Sequence, residues 1–140
     1  MLTFPSPRFF VACTAIVAAL YAGPVRAENW VVFVRAQGTT VCYDRDSISK
    51  DDRGFQHYAW KAGFQSCSDE DAIGLTYEVA LDCAQDMTSG DINVYSRIIM
   101  MMGKPAPEES AQYHEDAFER GHASWHLARA ICGKPSLMPR

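Results

Sequence analysis

Residues 75–83 read LTYEVALDC, and their alternation decides the fold. Leu75, Tyr77, Val79, Leu81 and Cys83 fall on one face of an extended chain; Thr76, Glu78, Ala80 and Asp82 fall on the other. A helix would scatter these apolar residues around its circumference, whereas a strand with one buried side collects them. The stretch reads as a half-buried β-strand that points Cys83 into the core.

Working outward, the preceding chain is rich in strand signals. Residues 29–35 (NWVVFVR) are apolar and β-branched, and Gln37-Gly38 turns the chain into a second short strand over 39–43. The polar stretch 44–54 (DRDSISKDDRG) leads to a third strand over 55–61 (FQHYAWK), and an acidic loop surrounds Cys67. After residue 83, Ser89-Gly90-Asp91 turns the chain into a fifth strand over 92–100. Lys104 and Pro105 belong to a structure-breaking stretch, 103–109, read as a linker. Residues 110–140 are expected to be helical: 108–120 is helix-permissive with a weak apolar stripe, and Gly121 separates it from a short helix over 122–132. On that helix Trp125, Ala128 and Cys132 share one face, and Cys132 can reach Cys83; His122, His126 and Arg129 share another face, read as solvated. Strands joined by short turns, followed by helix, imply an α+β fold: an antiparallel β-sheet of about five to six strands with a C-terminal helix packed on it.

The N-terminal 27 residues follow the pattern of a secretory signal peptide. Arg8 precedes an apolar run over 9–22, Gly23 and Pro24 break it, and Val25 and Ala27 occupy a V-x-A cleavage site. The run falls short of the ~20 residues of a membrane-spanning helix. Cys13 lies near its start, not at its end where a lipid-modified cysteine belongs, so no lipid anchor is expected. Cleavage after Ala27 leaves a single domain over 28–140 with no membrane span. It also removes Arg8 and Arg26 and no acid, taking the formal charge from −4 to −6. That balance disfavours nucleic acid as a partner.

Cys42, Cys67, Cys83 and Cys132 remain in the exported chain. An even number of cysteines in an oxidising compartment predicts two disulfides, and four cysteines allow three connectivities. A zinc site normally shows a tight C-x2-4-C pair, and no two of these cysteines lie closer than 16 positions.

A search for chemistry returns little. His122 and His126 stand four apart, as a zinc-binding helix requires, with His114 or Glu119 as a third ligand; yet H-E-x-x-H is absent and Arg129 shares the stripe. This makes a metal-binding role for His114, His122 and His126 the weakest functional reading. Asp44, Asp46, Asp51 and Asp52 suggest calcium, but Ile48 and Phe55 occupy EF-hand positions that need oxygen ligands, so the segment reads as a solvated loop with local side-chain turns. His57 shares a strand face with Phe55 and Ala59 and reads as a packed core histidine. Trp30, Trp60 and Trp125 read as core residues. No nucleophile elbow, phosphate-binding loop or haem motif occurs, so neither a catalytic residue nor a cofactor is expected.

Several of these residues together resemble the surface-adhesin protein E family of small exported bacterial proteins. They are Trp30, the run Val41-Cys42-Tyr43-Asp44 with Ser47-Ile48, then Tyr58 and Trp60, Tyr77-Glu78 leading to Leu81-Asp82-Cys83, and Trp125 with Ile131-Cys132. The resemblance implies a six-stranded antiparallel sheet with one helix packed on it. It implies the pair Cys83–Cys132, and with it Cys42–Cys67. It also implies attachment of a Gram-negative cell to host matrix proteins. The expectation is an exported, non-enzymatic, adhesin-like module at the cell surface or in the periplasm, whose partner is a host or envelope protein. The alternative is a soluble periplasmic binding or inhibitor protein.

Overall fold

The computed structural model describes residues 28–63, 66–67 and 72–135; the expected signal segment over 1–27 lies outside the described residues. In chain order the elements are β1 (Trp30–Ala36), β2 (Thr39–Asp44), a 3-10 turn (Arg45–Ser47), β3 (Ser49–Lys50), β4 (Gln56–Gly63), β5 (Ala72–Leu81), β6 (Ile92–Met101), β7 (Lys104–Pro105), β8 (His114–Phe118) and the helix α1 (Ala123–Ile131). All pairings are antiparallel, in the order β1-β2-β4-β5-β6-β7, while β3 also pairs with β4 and β8 with β6. Among the described residues, eight strands thus fill six positions across the sheet. Their number exceeds the expected five to six because β3 and β7, two residues each, carry no sequence pattern of their own, and β8 forms where helix was expected.

Two hairpins turn on residues with positive φ: Gln37 (51°) with Gly38 (75°), and Met102 (52°) with Gly103 (75°). Paired left-handed conformations match the natural twist of the flanking strands. Pro105 sits in the edge strand β7, where its missing N–H does not break a central ladder.

The C-terminal part corrects the sequence reading. Residues 110–122 hold no helix: a turn leads into β8, which pairs with β6 from Ile92↔Phe118 to Ser96↔His114. Lys104 and Pro105, within the expected linker, form β7. Only Phe118 of β8 is buried, so backbone bonding to β6, not an apolar stripe, makes this segment a strand. Among the described residues of this part, the helix is α1, nine residues long.

The core lies between one face of the sheet and α1. Tyr58, Val79, Leu81 and Val94 pack with Phe118 and with Trp125, Leu127 and Ala128 of the helix. One disulfide ties the helix to the sheet, from Cys83, just past β5, to Cys132 at the end of α1 (Cα–Cα 5.5 Å); a second joins Cys42 of β2 to Cys67, between β4 and β5 (Cα–Cα 6.1 Å).

Candidate functional site

The opposite face of the sheet is floored by small residues at its centre, Ala59 of β4 and Ala80 of β5. Around that floor stand large polar and aromatic side chains. Register places His57, Ala80, Tyr95 and Glu115 in one row across β4, β5, β6 and β8, and Ala59, Glu78 and Arg97 in the next. Because the floor is low and its surroundings tall, two clefts open there.

The first cleft, about 420 Å³, is lined by Phe55, Tyr95, Asp82, Glu115 and Asp116, with Gln85 and Asn93 at one end. Gln85 closes that end by acting as a short length of backbone: its Oε1 accepts from Asn93 N (2.9 Å) and its Nε2 donates to Asn93 O (2.8 Å). Phe55 and Tyr95 meet edge to face at 6.3 Å, and the Arg53 guanidinium lies 5.0 Å over the Phe55 ring.

The second cleft, about 410 Å³, includes Trp30, Asp44, Asp51, His57 and Glu78. Its organising contact is the 2.8 Å bond between His57 Nε2 and Asp51 Oδ2. Asp51 is itself fixed by the turn it builds, with Oδ1 accepting from Arg53 N and Phe55 N. The His57 bond, with those backbone donors, holds the Asp51 carboxyl below the usual carboxylate range. On the other side, His57 Nδ1 lies 3.7 Å from Glu78 Oε1 and 3.5 Å from the Tyr113 hydroxyl.

Glu78 Oε2 takes two donors from Arg97, at 3.0 and 2.6 Å, and the Arg97 guanidinium stacks 4.6 Å over Tyr113. This bond to Glu78 raises the pKa of Arg97 further. Burial, with the Glu78 charge, pushes the Tyr113 hydroxyl up to about 12, so the phenol stays protonated at neutral pH. The network is a set of mutually neutralising groups that hold Tyr113 in place.

This corrects two sequence readings. His57 is not a core histidine but a half-buried member of that network. The stretch 44–54 builds local turns as expected, but it is not wholly solvated. Asp44 is 4% exposed, with Oδ1 accepting from Asn29 N and Asp46 N, and Ser47 Oγ donates to Asp44 O while accepting from Ala59 N. The partnership of His57 with Asp51, six residues earlier, left no trace in the strand pattern, because the turn between them sets it.

The helix histidines are also placed differently. His126 and Arg129 are buried, not solvated. Arg129 stacks 4.9 Å over the Trp125 ring, donates to Met87 O and reaches Pro135 O at 3.1 Å. Burial, then the Arg129 charge, lowers the pKa of His126. His122 occupies the N-cap position of α1 without a side-chain capping bond and pairs with Glu119 at 3.3 Å, while His114 stands on β8. The three histidines form no cluster, and among the described residues no group of three or more His, Cys, Asp or Glu is arranged to hold a metal. Of the three tryptophans, Trp125 is buried in the core, Trp60 is half-buried against Tyr77 and Phe118, and Trp30 lines the second cleft with the Lys61 ammonium 4.1 Å over its ring.

No family model, no curated protein and no solved structure matches this chain.

Proposed function

We propose that the chain is an exported, non-enzymatic protein-binding module, adhesin-like and of the surface-adhesin protein E type, from a Gram-negative bacterium. The observation that carries this reading is the composition of the sheet face opposite α1. Tyr95 and Tyr113 are 43% and 39% exposed there, beside Phe55, Arg53 and Arg97. Tyrosine, arginine and other aromatic residues are the side chains enriched where protein partners bind. Arg97 and Tyr113 are also held in fixed positions, which lowers the entropy lost on binding. Two further facts are compatible with export. The four cysteines that follow the expected signal are paired, and no helix among the described residues is long and apolar enough to cross a membrane.

The test of location is protease accessibility on intact cells, compared with cells whose outer membrane has been opened. Digestion on intact cells is the result expected of an adhesin. Protection until the membrane is opened would favour the alternative of a periplasmic binding or inhibitor protein.

A further inference from the structure

We infer that two copies of this chain join edge to edge through β1, antiparallel, into one continuous sheet in which each copy extends the wall of the other's second cleft. The two borders of the sheet differ in kind. At one, β7 carries Lys104 and Pro105 and β8 carries His114, Glu115 and Asp116; charge and proline are what keep an exposed edge from pairing. At the other, β1 reads WVVFV from Trp30 to Val34, with neither charge nor proline, and no described strand pairs with its outer side. β1 is also apolar towards both faces. Val31 (opposite Tyr43), Phe33 and Val34 lie on the α1 side, Trp30 and Val32 on the other. Such a pattern belongs to a strand inside a sheet. Here it stands at a border, with Val32 40% exposed and Trp30, Val31, Phe33 and Val34 only half-buried.

The strand that fits beside β1 is another β1, because its charges and its register match themselves. The bulge between Val32 and Val34 adds one residue, so Arg35, opposite Thr40, falls on the same face as Trp30 and Val32, opposite Asp44 and Cys42. Glu28 is on that face too, accepting from Trp30 Nε1 at 2.8 Å and lining the second cleft. Antiparallel pairing centred on Val31, with the bulge counted as one position, sets Trp30 of one copy opposite Val32 of the other. The same register sets Glu28 opposite Arg35. Each pair occurs twice, as a two-fold contact requires, and both are favourable cross-strand pairs: aromatic with β-branched, acid with base. Glu28 and Arg35 are exposed in the single chain and free to meet. The two-fold axis stands perpendicular to the sheet, so the clefts of both copies open on the same side. Trp30 and Glu28 line the second cleft, and Val32 and Arg35 of the second copy continue it. This assembly does not depend on what the clefts bind.

Sedimentation equilibrium of the exported, oxidised protein over a concentration series tests it. A concentration-dependent rise to twice the mass of the chain is expected. V32K places at an exposed position the kind of charge that blunts natural edges, and should leave a folded single chain by circular dichroism. R35E sets acid against acid twice and should weaken association about tenfold, while E28K/R35E, which reverses both charges, should restore most of it. A single-chain mass up to about 0.1 mM would overturn the inference, even if the edge then takes a strand of another protein. A dimer indifferent to V32K and R35E would use another surface and overturn it too, as would failure of E28K to rescue R35E.

Discussion

At the scale of single residues, alternation decides which face a side chain takes, but its partners come from the loops. Tyr58 illustrates the first point. The strand pattern turns it inward, where it is 1% exposed, and its hydroxyl finds no hydrogen-bond partner among the described residues. Burial drives its pKa well upward, so the group stays neutral, yet an unpaired buried hydroxyl still costs free energy. Tyr58→Phe is therefore expected to leave stability unchanged or raise it by up to about 1 kcal/mol, measured by urea unfolding. A loss of stability would mean that the hydroxyl has a partner. His126 supplies a pH prediction. Held below its ordinary value of 6.5, it binds fewer protons folded than unfolded. Its contribution is complete above pH 6.5 and is lost as the pH falls from there toward the lowered folded value. The stability gap between about pH 7.5 and about pH 5 should thus be larger for the wild type than for His126→Gln. Equal gaps would contradict the assignment.

At the scale of elements, α1 is too short to be stable alone, since isolated helices under about 12–15 residues are marginal in water. Its position depends on the core contacts of Trp125, Leu127 and Ala128 and on the bridge from Cys132 to Cys83. Replacing Cys83 by Ser should cost about 2–5 kcal/mol, read as a lowered melting temperature of the oxidised protein. An unchanged temperature would show that the bridge does not hold the helix down. The same packing explains what could be read in advance. β5 was legible because its residues alternate cleanly; β8 was not, because four of its five residues are exposed and β6 holds it through the backbone. For α1, Arg129 was expected on a separate face from Trp125, yet four residues of helix bring it round to about 40° from Trp125, on the same side and buried. Arg129 folds its guanidinium back over the Trp125 ring, and a charged stripe becomes part of the packed layer. In the candidate site the face of Glu78 was legible, whereas its partners Arg97 and His57 required the register of β4, β5 and β6.

At the scale of the whole molecule, the sheet divides labour between its faces. One packs against α1 and is closed by a disulfide. The other keeps a low alanine floor, two clefts and a rim of tyrosines and arginines. The stapled core gives the second face a rigid base on which side chains can be held in fixed positions. The central claim is that this face binds protein, and the most direct test is saturation binding of the oxidised protein to immobilised matrix proteins, beside Tyr95→Ala/Tyr113→Ala. The account predicts saturable binding to at least one of them and a loss of about tenfold or more in the double variant. Binding that survives both substitutions undiminished, or no binding to any of them, would contradict it.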